Sequence, residues 1–330
     1  MSSPRFLSGS APDIALAVNT LARGELLGLP TETVYGLAAD ALNPQAVAAI
    51  FKAKGRPADH PLIVHLASSA QVPLFASDVP LFAQALMDAF WPGPLTLILP
   101  RRAGVADAAA GGHATIALRC PSHPLAQQVL QQALMAGVQG VAAPSANLFG
   151  RVSPTTAQHV REAFADLTVM DGGDCEVGIE STIVDVSRGA PVLLRPGMLT
   201  PAQLSAVCGA AVLTHASAQA TEAVTPAAPG MLESHYAPRA RVRLLSATAL
   251  ADRLKKAAPQ ATAFWLRSPQ SLPPGLQWLR MPDDAAACAH ELFARLRELD
   301  AAGVDEIWIE APPDEAIWDG VRDRLLRASA

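Results

Sequence analysis

Short apolar runs alternate with helix-patterned segments along the first two hundred residues, and this alternation limits the fold more than any other feature of the sequence. The pattern predicts strands over Leu26–Leu29, Leu62–Leu66, Leu95–Leu99, Ala114–Arg119, Gly140–Ala143, Leu167–Met170, Ser181–Val186 and Val192–Arg195. Between them it predicts helices over Asp13–Ala22 (with Asp13 as cap), Pro44–Phe51, Val79–Phe90, Pro124–Met135, Thr155–Phe164 and Pro201–Val207. Such alternation belongs to the α/β class. Hairpin-like neighbours near Ser181 to Arg195 favour a twisted mixed sheet with helices on its faces over a purely parallel one.

From Gly209 to about Pro229 the composition turns to Ala, Thr, Ser, Pro and Gln, which reads as a linker. A second α/β pattern follows. Its strands are Arg241–Leu245, Thr262–Leu266 and Glu306–Glu310, and its helices Leu250–Lys256, Ala285–Leu299 and Asp319–Leu326.

A chain of 330 residues has room for two domains, and 50% hydrophobic residues supply their cores. The net charge of −5 argues against a general nucleic-acid or membrane-surface binder. Cys120, Cys175, Cys208 and Cys288 are far apart, with no C-x-x-C pair, so no metal site and no disulfide framework is expected, and a reducing cytoplasm fits. Met1 to Ser10 lacks the apolar core of a signal peptide, and no apolar run is long enough to span a bilayer.

Against that acidic background stands one basic island. The chain has four lysines, and Lys52 and Lys54 lie with Arg56 within five residues free of acid. Gly55 and Pro57 disfavour helix, and an extended segment would turn Lys52, Lys54 and Arg56 to one side, toward one anion. A solvated helix end with cations at its C-terminus explains the cluster equally well. Thr31 and Thr33 alternate after a strand, offering hydroxyls on one side and Glu32 on the other. Arg119 ends an apolar strand and needs an anionic partner, either a ligand or a structural carboxylate. Ala142 to Asn147 combines small residues with Ser145 and Asn147 as donors, the pattern of a ligand loop or of an ordinary turn. No P-loop, dinucleotide fingerprint, nucleophile elbow or zincin motif is present.

In combination these segments resemble the YrdC-like threonylcarbamoyl-adenylate synthase family. The matching motifs are Pro30–Leu37, Lys54-x-Arg56, Pro61–His65, Trp91–Thr96, Ser145-x-Asn147, Gly178–Asp185 and Leu194–Gly197, in family order between Ser8 and Thr200. Pro229-Gly-Met231 and Ser234–Pro238 resemble the linker of the long form, which carries a small Rossmann-like domain. Leu232 to Ser234 and His60 depart from common family residues. The resemblance implies a YrdC-like catalytic domain over 8–208, a linker or lid over 209–238 and a Rossmann-like domain over 239–330.

It also implies an activity. L-threonine, bicarbonate or CO2, and ATP with Mg2+ would give threonylcarbamoyl-AMP and pyrophosphate. The product would pass to a tRNA threonylcarbamoyltransferase complex, with direct tRNA contact left open. Carried over by motif position, Lys52, Lys54, Arg56, His60, Thr115, Ser145, Asn147, Ser153, Arg195, His235 and Tyr236 would bind ATP. Thr33, His65, Arg119, Ala143 and Ser181 would hold L-threonine. No side-chain nucleophile and no protein-bound transition metal are expected, because the chemistry asks for alignment and charge neutralisation. Three rivals are weaker on this sequence. An RNA-binding module fits poorly with so few lysines. A hydrogenase-maturation carbamoyltransferase would carry zinc-finger cysteines. A domain that has lost catalysis would not need Lys54, Arg56, Ser145 and Asn147.

Overall fold

The computed structural model describes residues 5–214, 235–255, 261–268 and 276–330. Of the expected linker over 209–238, residues 215–234, with Pro229-Gly-Met231 and Ser234, lie outside the described residues, as does Lys256.

One eleven-stranded mixed sheet organises the first part of the chain. Its strands are β1 (Phe6–Leu7), β2 (Leu27–Leu29), β3 (Gly36–Asp40), β4 (Ile63–His65), β5 (Leu95–Pro100), β6 (Thr115–Arg119), β7 (Val141–Ala142), β8 (Thr168–Met170), β9 (Thr182–Asp185), β10 (Val192–Arg195) and β11 (Leu213–Thr214). Their order is β1-β8-β2-β3-β7-β4-β6-β5-β9-β10-β11. β9 and β10 pair antiparallel, as the spacing near Ser181 to Arg195 predicts. β1, β3 and β11 are not legible in the sequence pattern. β1 and β11 have two residues each, and β3 is Gly-Leu-Ala-Ala-Asp, with no β-branched side chain. At the first edge, Phe6 lies parallel beside Val169 of β8.

Among the described residues seven helices accompany this sheet: α1 (Ala11–Ala22), α2 (Pro44–Lys54), α3 (Val72–Phe75), α4 (Leu81–Phe90), α5 (Pro124–Met135), α6 (Ala157–Ala163) and α7 (Pro201–Cys208). Two local expectations are corrected. Asp13 does not cap α1. Ser10 holds the cap position, and the Asp13 carboxylate accepts from the Ser8 amide at 2.8 Å and its hydroxyl at 2.6 Å. α2 runs a turn beyond Phe51. Asn43 caps its start, and Lys52-Ala-Lys54 are sound helix formers that stop only at Gly55, whose φ of 63° is left-handed. Lys52 and Lys54 are therefore helical rather than extended.

Strand alternation decides where the pocket can form. Leu62, Val64 and Leu66 turn to one face, into the cluster under α2, α4 and α7, while Ile63 joins Ile98, Ala117 and Ile183 on the other. α1 and α5 cover part of that second face. Beside them, next to the Ile63 cluster, the polar ends of the strands line a cleft.

The second part of the chain forms a separate parallel sheet, β12 (Arg241–Leu245), β13 (Thr262–Leu266), β14 (Gln277–Arg280) and β15 (Glu306–Glu310), in the order β12-β15-β13-β14. β14, the short and mostly exposed run Gln-Trp-Leu-Arg, gave no sequence signal. Helices α8 (Ala247–Lys255), α9 (Ala285–Ala301) and α10 (Asp319–Ala328) accompany it. One apolar cluster joins the two parts: Val34, Val152 and Ile179 from the first pack with Tyr236, Phe293, Trp318 and Leu325 of the second.

Candidate functional site

The turn after β2 builds the first wall of the cleft. Thr31 folds the chain back on itself: its hydroxyl donates to the Val34 carbonyl at 2.6 Å and accepts from the amides of Thr33 and Val34, each at 3.2 Å. The turn brings both Glu32 and Thr33 to Arg119, correcting the expectation that Glu32 faces away from the threonine hydroxyls. Arg119 Nη1 donates to Thr33 Oγ1 at 2.7 Å, Nε to the Gly93 carbonyl at 3.3 Å, and Nη2 lies 2.7 Å from Glu32 Oε1. That last contact is an ion pair without hydrogen-bond alignment, so Nη2 keeps a donor to offer. The two possible partners of Arg119 thus coexist, a structural carboxylate on one side and an open cleft on the other.

β4 lies parallel to β6, which sets His65 beside Arg119. Burial, and then the charge of Arg119, push the His65 imidazole down to about 3, so it is neutral at pH 7. Gly36 allows the opposite wall to come close. A Cβ there would lie 2.9 Å from that of Ala143, and Gly36 bridges to Ser145. The segment Ala143-Pro144-Ser145 therefore runs along the cleft. Ser181 stands at its floor, 2.7 Å from Thr96 Oγ1, and Arg195 holds it through Nε to the Ser181 carbonyl at 3.0 Å and Nη2 to its hydroxyl at 3.1 Å.

Lys54 is buried behind the Ser145 wall, where its ammonium donates to the carbonyls of Ser145 and Asn147, both at 2.5 Å. Burial, and then the neighbouring charge of Arg56, hold its pKa well below the ordinary value. Arg56 reaches into the cleft. Burial pushes its pKa down to about 10, Nη2 donates to the Pro61 carbonyl at 3.0 Å, and its guanidinium lies 5.9 Å from the Phe149 ring centre. His60 and His235 flank the same ring, at 5.7 and 6.4 Å. His235 is held neutral, with burial pushing its pKa down to about 4. Among the described residues Arg56 Nε, His235 Nδ1 and Tyr236 Oη have no hydrogen-bond partner, which is uncommon for buried polar atoms outside a binding site.

The cleft encloses about 540 Å³, its mouth included. All five residues read as threonine-binding line it: Thr33, His65, Arg119, Ala143 and Ser181. Of those read as ATP-binding, Arg56, Ser145, Arg195, His235 and Tyr236 line it. Lys54, Asn147 and Ser153 stand behind the lining and His60 at its aromatic edge. Two are not brought to it. Lys52 projects from the exposed face of α2, since helical neighbours two apart diverge, and Thr115 sits at the far end of β6, opposite Pro100. Sequence reading missed Phe149, the acidic partner Glu32, and above all Glu180 and Arg324. Glu180 lies within a quoted motif, whereas Arg324 is one of several arginines on α10 and carries no distinguishing signal. Burial favours the neutral acid at Glu180, but Arg324 and Arg195 outweigh it and hold the carboxylate below its usual range.

Comparison with known proteins places this site in context. The Sua5/YciO/YrdC family model, described as telomere recombination, matches residues 19–197. A second model, the threonylcarbamoyl-AMP synthase C-terminal domain, matches residues 199–330. The chain is 37% identical to the threonylcarbamoyl-AMP synthase of Pyrococcus abyssi, over 96% of this chain and 94% of that protein. It is 35% identical to that of Bacillus subtilis, over 98% and 94%. The crystal structure of P. abyssi Sua5 complexed with L-threonine superposes with a TM-score of 0.87 at 35% identity, covering 98% of this chain and 97% of that one. The YciO protein of E. coli, at 20% identity and a TM-score of 0.50, shares the fold over 60% of the chain. The chain belongs to the Sua5/YciO/YrdC family, in its long form with the threonylcarbamoyl-AMP synthase C-terminal domain.

Proposed function

We propose that this protein is an L-threonylcarbamoyladenylate synthase, a nucleotidyltransferase that prepares threonine for threonylcarbamoyladenosine in tRNA. The carrying observation is one cleft that gathers Thr33, His65, Arg119 and Ser181 beside Arg56, Ser145 and Arg195. Kinship with a protein crystallised with L-threonine supports the first group as the amino-acid side. Arg119 Nη2 would meet the threonine carboxylate, with Thr33 and neutral His65 beside it. The amine takes up CO2 to form a carbamate. A carbamate oxygen then attacks the α-phosphorus of ATP and pyrophosphate leaves with the electron pair of the broken P–O bond. Arg56, Arg195 and Lys54 would offset the charge of the phosphates, and Asn147 and Ser153 support that wall. ATP would enter as its magnesium complex. Among the described residues no three or more His, Cys, Asp or Glu side chains gather, so the ion would travel with the phosphates.

His235 and Tyr236 would close over the nucleotide and keep water from the labile carbamate. No helix among the described residues is long and apolar enough to cross a membrane, and all four cysteines are free. We take the cytoplasm as its setting and a tRNA threonylcarbamoyltransferase complex as the consumer of its product. No observation favours the RNA-binding alternative. The test is incubation of the full chain with Mg-ATP, bicarbonate and each amino acid in turn. Pyrophosphate release and a carbamoyl-adenylate mass with threonine alone are expected; equal release without amino acid would sink the reading.

A further inference from the structure

The second domain sends one charged side chain into the wall of the cleft. Arg324, on α10, is fully buried. Its Nε donates to Glu180 Oε2 at 2.9 Å, Nη2 to the Glu180 carbonyl at 3.0 Å and Nη1 to the Pro196 carbonyl at 2.6 Å. Nη1 also donates to Asp323 Oδ2 at 2.9 Å, a carboxylate whose other oxygen takes Arg327 Nε at 2.9 Å, so Asp323 has a cation of its own and Arg324 remains for Glu180. Its guanidinium lies 5.6 Å from the ring centre of Tyr236. The other Glu180 oxygen accepts the Ser153 hydroxyl at 2.5 Å. Glu180 is the one carboxylate lining the cleft among the described residues, in a wall otherwise marked by Arg56, Arg119 and Arg195.

A bare carboxylate at that position would oppose any polyanion entering the cleft, and low water content would sharpen the repulsion. We propose that Arg324 is a positioning residue of the synthase: the C-terminal domain, through this one side chain, cancels the charge of Glu180 and fixes it with Pro196 and Tyr236, so that the nucleotide side accepts phosphates. This rests on the function proposed above. A guanidinium suits the task because its fork reaches two carboxylates, two carbonyls and a ring face at once, which an ammonium cannot. An interdomain tie that only holds the two domains together would affect both substrates alike. Charge cancellation weighs on the nucleotide alone and becomes dispensable when the carboxylate is removed.

The test uses the full chain as wild type, Arg324→Gln, Arg324→Lys and the double variant Arg324→Gln with Glu180→Gln. Pyrophosphate release is followed against ATP and against threonine, and binding of a non-hydrolysable ATP analogue is measured by calorimetry. Arg324→Gln is expected to raise the KM for ATP and weaken the analogue by about tenfold or more, while the KM for threonine moves less than about threefold. Arg324→Lys should recover only part of the loss. The double variant should return to within about threefold of wild type, because a neutral glutamine leaves no charge to cancel. An ATP KM within twofold of wild type in Arg324→Gln, or a double variant no better than the single, overturns the proposal. If Arg324→Gln does not fold, the double variant decides: near-native analogue affinity supports the proposal, and a tenfold loss overturns it. Analogue binding is read without turnover. A wild type that binds the analogue yet releases no threonine-dependent pyrophosphate would therefore sink the function alone.

Discussion

At the scale of single residues, the cleft is defined by side chains whose charge is set by their neighbours. Arg119 spends Nη1 on Thr33 and Nε on Gly93, leaving Nη2 toward Glu32 and the cleft. Arg119→Lys keeps the charge but loses this division of donors. The expected outcome is a KM for threonine raised at least about tenfold, or about 1.4 kcal/mol, with ATP binding preserved; initial rates at varied threonine check it. The histidines supply a second expectation. His65, at about 3, and His235, at about 4, are neutral in the folded state and ordinary, near 6.5, in the unfolded chain. The unfolded state therefore binds protons that the native state refuses. Stability is complete above about pH 6.5 and declines as pH falls toward the folded values. At about pH 5.5 each such histidine should cost about 1.4 kcal/mol. Denaturant melts at pH 7.5 and 5.5 should show the drop, and His65→Gln should make it smaller.

At the scale of elements, the end of α2 is the critical joint. Gly55 separates Lys54, which turns in behind the Ser145 wall, from Arg56, which turns out into the cleft. Its left-handed φ of 63° has open space around it, so a side chain there would meet strain rather than a clash. Gly55→Ala is expected to lose roughly 1–2 kcal/mol of stability by denaturant unfolding and to weaken ATP more than threonine. This joint also shows the reach of sequence reading. The composition of Lys52–Arg56 singled out the right place, because a basic island in an acidic chain is a signal of charge. Of the two geometries this composition allows, an extended segment and a helix end with cations at its C-terminus, the structure has the second: Gly55 ends a helix that already includes both lysines, and so Lys52 faces solvent. Most strands were legible from their apolar runs, since burial on both faces demands them. β3 was not, because it is Gly-Leu-Ala-Ala-Asp, in which Gly36 serves the close approach to Ala143 and no residue is a strong strand former. The five residues that the motifs single out for threonine all line the one cleft. Arg324 was beyond reach, because its meaning depends on a contact 144 positions away.

At the scale of the whole molecule, the two domains share one apolar seam, and the residues completing the cleft sit on it. Tyr236 is fully buried, packs 5.3 Å from Phe293 of α9 and also lines the cleft. Phe293→Ala should therefore destabilise by about 3–5 kcal/mol in denaturant titrations and also weaken the nucleotide analogue, although Phe293 lies outside the lining. A variant that loses stability yet binds the analogue as wild type would separate the seam from the site.

The pairing of Phe6 with Val169 sets a schedule for the chain's own synthesis. β1 cannot meet β8 until some 160 further residues have followed, and β8 also borders β2. At ordinary elongation rates that interval is roughly 10–30 s, during which β1 waits for β8. This edge of the sheet therefore cannot close as the chain emerges, and β1 takes its place only after β8 has been made.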